Sequence, residues 1–299
     1  MTKLAGMTIG FIGLGLMGKP MARNLKAAGA GVVINNRSQG VIEELAKEGM
    51  IPATSPKETC EKSDVVIAML SDTPALEKVL AGDDGVFAAP PRGKLIIDMG
   101  TSKLLVTRML AAKAQELGAD YVDAPVSGGT LGAEAGNLTI MAGGTDDAFE
   151  RARPVLEVLG EKITHVGPTG AGQVAKAANQ VIVGLNIGAV AEALSLAQAA
   201  GVDPGKVREA LGGGFADSRI LEVHGLRMVE GKFTPGARCP IQRKDMDQAM
   251  ELADHLGIEL PATALSRDLY DRVIDAGDGD LDHSGLIRAI RPDWPVNEQ

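Results

Sequence analysis

Aromatic side chains are scarce: one Trp, two Tyr and five Phe make up 3% of this 299-residue chain. A core must therefore be assembled from Ala, Val, Ile, Leu and Met. Cysteine is nearly absent, and Cys60 and Cys239 stand in no CxxC or metal-ligand spacing. Neither a disulfide framework nor a metal site is expected, and the two thiols are read as reduced. The four histidines, His165, His224, His255 and His283, sit in no glycine-flanked loop and beside no paired carboxylate. Each is read as structural. Runs of like charge are missing too, although the net charge is -9. That argues against nucleic acid or an anionic membrane surface as partner, and leaves an anionic ligand dependent on local cations. No charged segment followed by a long apolar one opens the chain, so no signal peptide is expected. The most membrane-like run, Val181 to Ala191, is short and carries Asn186, so no membrane span is expected either. With no signal peptide or membrane span expected and both thiols read as reduced, a cytoplasmic location is expected.

What is abundant is glycine, at 38 residues, and its placement near the N-terminus is informative. Met7 to Gly18 reads MTIGFIGLGLMG, an apolar β-branched run followed by Gly13-x-Gly15-x-x-Gly18, and helical spacing continues over Lys19 to Ala28. A buried parallel strand that turns directly into a helix has this order. Gly13 takes the tight turn, Gly15 leaves room for a pyrophosphate, and Gly18 lets helix and strand pack closely, with the free N–H groups of the helix start facing the phosphates. Gly13, Leu14, Gly15, Leu16, Met17 and Gly18 are the candidate dinucleotide turn. The second strand, Gly31 to Asn35, is followed not by the acid that an NAD site uses on the ribose 2′-hydroxyl but by Asn36-Arg37-Ser38. An amide, a guanidinium and a hydroxyl suit a 2′-phosphate, so NADP(H) is the preferred cofactor, with NAD(H) possible.

The length favours two domains. Strands at Asp64 to Met69, Lys94 to Met99 and Asp120 to Asp123 alternate with helices near Val41 to Glu48, Pro74 to Leu80 and Lys103 to Leu117. Leu138 to Ala142, a helix at Asp146 to Leu159, and Lys162 to Val166 extend the sheet. This alternation predicts an α/β fold, an N-terminal Rossmann doubly wound parallel sheet over residues 1–168. Gly167-Pro168-Thr169-Gly170 marks the boundary. Beyond it, apolar residues recur at helical spacing in Val174 to Ala200, Pro204 to Leu211, Arg219 to Val229, Lys244 to Leu256 and Pro261 to Ala276. An all-α C-terminal domain over 169–299 follows, expected to serve substrate binding and oligomerisation. The long apolar helix from Val174 is hard to bury in one small domain, so a homodimer or homotetramer is expected.

Ligands of a doubly wound sheet sit at the C-terminal ends of its strands. Those ends carry Met69 and Leu70, then Thr101, then Ser127-Gly128-Gly129, where a hydroxyl and two glycines can present backbone N–H groups to a carboxylate. Lys176, Asn179 and Gln180 share one helix face at i, i+3 and i+4. Among Val174, Ala175, Ala177, Ala178 and Val181, the Lys176 ammonium either snorkels to water or sits in a cleft opposite an anion. In the cleft it would supply the proton that a carbonyl oxygen needs as hydride arrives.

Four landmarks in order resemble the β-hydroxyacid dehydrogenase family over nearly the whole chain: Gly10 to Gly18, Asp123-Ala124-Pro125-Val126-Ser127-Gly128-Gly129, the Gly170 to Gln180 helix start, and Lys244-Asp245-Met246. The resemblance implies hydride transfer between a nicotinamide cofactor and a small anionic oxo or hydroxy acid. It makes Lys176 the catalytic lysine, Asn179 or Gln180 its polar companion, Ser127 to Gly129 the carboxylate site, and Lys244 a cofactor contact. Within the family, Ala178 to Val183 and Asp282-His283-Ser284 are most similar to the tartronate semialdehyde reductases. The 3-hydroxyisobutyrate dehydrogenases and the glyoxylate or succinic semialdehyde reductases are the alternatives, and a non-catalytic NADPH-binding partner protein is the alternative outside enzymology. Two segments depart from the subgroup, Cys239 to Arg243 and Phe215 to Arg219.

Overall fold

A computed structural model describes residues 3–297. The chain divides into two compact units, one ending at Lys176 and the other starting at Ala177.

In the first unit the strands are β1 (Thr8–Ile12), β2 (Gly31–Asn35), β3 (Ile51–Pro52), β4 (Val65–Ala68), β5 (Leu95–Asp98) and β6 (Asp120–Asp123). They run parallel in the order β3-β2-β1-β4-β5-β6. Between them come α1 (Gly18–Ala27), α2 (Gln39–Lys47), α3 (Pro56–Glu61), α4 (Thr73–Ala81) and α5 (Leu104–Glu116). Side chains alternate between the two faces of each strand. Val65, Ile67, Leu95 and Ile97 therefore join the core under Met21, Leu25 and Leu45, while Val66, Ala68 and Ile96 face Leu76, Leu80 and Leu110. Apolar residues on both faces are what a doubly wound sheet requires.

The sheet continues with β7 (Val126–Ser127), α6 (Gly129–Ala135), β8 (Leu138–Gly143), α7 (Asp146–Leu159) and β9 (Gly160–Gly167). The expected parallel sheet is present, with one local exception: β8 pairs antiparallel with both β6 and β7. The α6 connection is too short for a parallel crossover, whereas α7 is long enough, and β9 returns parallel to β8. The short elements β3, α3, β7 and α6 were not expected from the sequence.

The helices that follow are α8 (Ala171–Ala199), α9 (Pro204–Leu211), α10 (Arg219–Glu230), α11 (Cys239–His255), α12 (Pro261–Val273) and α13 (Ile287–Ile290). Among the described residues the only pairing of β type in the second unit is an isolated bridge between Arg238 and Asp282. Its core gathers Ile187, Leu194, Met228, Met246, Tyr270, Leu286 and Trp294. Helix α11 begins five residues before the expected Lys244, since Pro240 fits a first helical turn, where its missing N–H costs nothing. The apolar run expected to be too short for a membrane belongs to α8, whose 29 residues are long and apolar enough to cross one. Half of its most apolar window is buried within the protein, as in the core helix of a folded domain.

Candidate functional site

The turn between β1 and α1 is built as its three glycines suggest. Gly13 has φ +99, and a Cβ there would lie 2.3 Å from the Met69 carbonyl oxygen. At Gly18 a Cβ would lie 1.9 Å from the Gly13 carbonyl oxygen, whereas at Gly15 it would meet no atom within 4 Å. Two glycines thus make the turn possible and the middle one leaves open space at the start of a helix, where a pyrophosphate fits. Asn36 closes the other side: its Oδ1 accepts from the Leu14 N–H at 3.0 Å, which fixes the loop after β2 against the turn. Arg37 and Ser38 are exposed beside it, and Leu16 projects into solvent. The open space at Gly15 and the exposed Arg37 and Ser38 fit a dinucleotide.

Met69, Leu70 and Thr101 lie half-buried at the ends of β4 and β5. Gly128 (φ +129) and Gly129 (φ +60) carry the chain from β7 into α6 through backbone conformations that side chains disfavour. Lys176 is 7% exposed and donates from Nζ to the Val126 carbonyl at 2.8 Å, one residue before Ser127. The ammonium is thus buried and does not snorkel to water.

Helix α8 starts on a buried polar network that the sequence reading did not single out. The Asp123 carboxylate accepts the backbone N–H of Gly170 at 2.7 Å and of Gln173 at 2.9 Å. Gln173 in turn accepts the Ser102 N–H at 3.0 Å and donates to the Gly100 carbonyl at 3.0 Å. Asp98 accepts from Gly100 N–H and from the Ser102 hydroxyl. Burial pushes the Asp98 carboxyl up to about 7 against its hydrogen bonds, with the Asp123 charge adding to the rise. Burial also raises Asp123 to about 6, with backbone N–H groups opposing it. The available signal was that β5 and β6 both end in an Asp that follows buried residues.

In the second unit Gln180 donates to Gln242 Oε1 at 3.0 Å and to Asp245 Oδ2 at 2.6 Å, and accepts from Asn179 at 2.7 Å. Lys244 pairs with the other Asp245 oxygen at 3.0 Å. Buried Asp245 therefore joins Gln180 to Lys244, and the Gln180 amide is committed to neighbours within its own unit. The departing segment Phe215 to Arg219 turns into α10, whose start Ser218 caps at 3.0 Å, with Phe215 fully exposed.

Two of the four histidines meet in the second unit. His224 and His283 both pack against the buried Asp282 carboxylate, brought together from distant positions by the fold. That carboxylate already accepts from Ser284 and from the Gly236 and Ala237 N–H groups and pairs with Arg227 at 2.5 Å. Burial alone would raise it, but His224, His283, Ser284 and Arg227 outweigh burial and hold it far below the ordinary carboxylate range. With a guanidinium on one oxygen, this trio reads as a structural hub.

Comparison with known proteins follows the same two-part division. The model of the NAD binding domain of 6-phosphogluconate dehydrogenase matches residues 8–167. That of the NAD-binding region of NADP-dependent 3-hydroxyisobutyrate dehydrogenase matches residues 170–290. The 2-hydroxy-3-oxopropionate reductase of Escherichia coli K12 is 46% identical over 95% of this chain and 97% of its own length. The 2-(hydroxymethyl)glutarate dehydrogenase of Eubacterium barkeri is 37% identical over 94% of this chain and 93% of its own length. A solved Mycobacterium tuberculosis 3-hydroxyisobutyrate dehydrogenase with L-serine superposes with TM-score 0.87 at 32% identity, over 95% of this chain and 99% of that one. With a glycine turn shaped for a dinucleotide and a buried lysine at the sheet's ligand edge, the chain belongs to the NAD(P)-dependent β-hydroxyacid dehydrogenases and reductases.

Proposed function

We propose that this enzyme is an NADP-linked reductase of a small 2- or 3-oxo acid, with 2-hydroxy-3-oxopropionate (tartronate semialdehyde) reduced to glycerate as its main reaction. The observation that carries the mechanism is the buried Lys176 ammonium, hydrogen-bonded to the Val126 carbonyl directly before Ser127-Gly128-Gly129. When bound, the cofactor supplies the hydride, its pyrophosphate at Gly13 to Gly18 and its 2′-phosphate at Asn36, Arg37 and Ser38. Met69, Leu70 and Lys244 are its further contacts. Ser127, Gly128 and Gly129, with Thr101 beside them, hold the substrate carboxylate. Lys176 gives its proton to the carbonyl oxygen as that oxygen becomes an alkoxide, and takes it back in the oxidative direction. Asn179 and Gln180 support the helix face that presents it. The substrate choice is supported by the identity to the Escherichia coli reductase. A second reading, 3-hydroxyisobutyrate dehydrogenase, is favoured by the match of residues 170–290.

The same proposal divides the labour between a cofactor-binding domain at 1–168 and a substrate and oligomerisation domain at 169–299. Exposed Ile182 and Leu196 on α8 support a homodimer or homotetramer, which sedimentation analysis would test. Two buried free thiols are consistent with a cytoplasmic location.

Lys176→Ala tests the mechanism. Turnover of tartronate semialdehyde should fall roughly 10²- to 10⁴-fold while NADPH affinity changes little. Near-normal turnover would remove the proton donor. Faster reduction of methylmalonate semialdehyde by the wild type would favour the second reading, and tight NADPH binding without turnover of any short semialdehyde would overturn both.

A further inference from the structure

We propose that Asp123 is a positioning residue: its carboxylate clamps the first turn of α8 and so fixes where the Lys176 ammonium meets the Val126 carbonyl. This rests on the reading of Lys176 as proton donor. A helix start leaves N–H groups without partners, and a Ser, Thr, Asp or Asn just before it usually caps them. Helix α8 is preceded by Gly170, which has no side chain to offer. The cap comes instead from another strand, with Asp123 Oδ1 on Gly170 N–H and Oδ2 on Gln173 N–H. One such bond would let the helix pivot; two, from separate oxygens, fix its rotation as well as its position. Lys176 lies three residues beyond Gln173. Asp123 also ends β6, three residues before Val126, in a segment buried throughout. Both partners of the Lys176 to Val126 hydrogen bond are thus referenced to one carboxylate.

The packing allows no slack. At Gly172 a Cβ would lie 2.6 Å from the Asp123 carbonyl oxygen and 2.4 Å from that of Met141. At Gly143 it would lie 2.7 Å from Asp123 Oδ1 and 2.8 Å from the Ala171 and Gly172 nitrogens. A buried carboxylate held by backbone N–H groups with no cation is expensive to keep, and a helix cap alone does not require it. A displacement of about 1 Å in a catalytic group costs on the order of 10²-fold in rate.

A double-mutant cycle reads the coupling. Asp123→Asn keeps the shape but turns an NH2 toward one of the two N–H donors. In the wild-type background kcat for tartronate semialdehyde should fall roughly 10- to 100-fold, with the NADPH Kd, read by fluorescence, changed less than about threefold. Added to Lys176→Ala, the same substitution should cost less than about threefold more. Equal losses in both backgrounds, or an unchanged kcat in Asp123→Asn, would overturn the positioning role. Should Asp123→Asn fail to fold, Asp123→Ser leaves one hydroxyl that can accept only one of the two N–H groups, and the cycle carries the same two outcomes. Near-normal turnover in Lys176→Ala alone would instead sink the underlying assignment, so the two failures are distinguishable.

Discussion

At Gly15 a methyl group would enter empty space, and at Gly18 it would collide with the Gly13 carbonyl. The two alanine variants should therefore part company. Gly15→Ala should leave the apo protein's stability within about 0.5 kcal/mol, because it touches nothing, yet raise the cofactor Kd about tenfold or more by filling the phosphate space. Gly18→Ala should destabilise by about 1–3 kcal/mol through overpacking. Thermal melts and a cofactor titration on both variants check this. Arg37→Asp belongs to the same scale: exposed beside the Asn36 clasp, it should shift preference from NADPH toward NADH, and an unchanged ratio of the two kcat/KM values would refute the phosphate assignment. These residues were legible in the sequence because each acts through its own backbone or charge within a short segment. The roles of Asp98, Asp123 and Asp245 were not, even though the last two stand in the landmark motifs, because what they touch is far along the chain.

Elements with a periodic apolar pattern were legible, and the two-residue strands were not. Helix α7 (Asp146–Leu159) and strand β2 (Gly31–Asn35) match their expected limits, since periodicity accumulates over several residues. The two-residue strands β3 and β7 carry no period and exist only because a neighbouring strand supplies hydrogen bonds. The link from α10 to α11 depends likewise on a distant residue. Asp282 accepts the N–H groups of Gly236 and Ala237 in that link and pairs with Arg227. Asp282→Asn should cost about 2–4 kcal/mol, somewhat less than a fully buried pair, because Arg227 still reaches water. Denaturant unfolding followed by Trp294, whose ring sits in the same core, would measure it. The depressed Asp282 carboxyl stabilises the fold above its ordinary pKa of 3.8, and that contribution is lost as the pH falls toward its folded value.

For the whole molecule the buried acids pull stability in opposite pH directions. Asp98 and Asp123 are raised from 3.8 to about 7 and about 6, so the native state holds their protons where the unfolded chain has released them. Their contribution is greatest below about pH 4 and declines as the pH rises toward 7. Asp98→Asn should therefore flatten the loss of Tm between pH 5 and 8 relative to wild type. An equally steep loss in the variant would show that Asp98 carries no proton in that range. The order of strands and helices, the glycine turn and the helical second half were determined by the sequence itself, because apolar periodicity and glycine act locally. The tertiary structure alone decided that β8 turns antiparallel, that two strand-end carboxylates meet the start of α8, and that Lys176 lies buried against Val126. Those outcomes depend on which distant backbone groups are left needing a partner once water is excluded, and no local pattern records that.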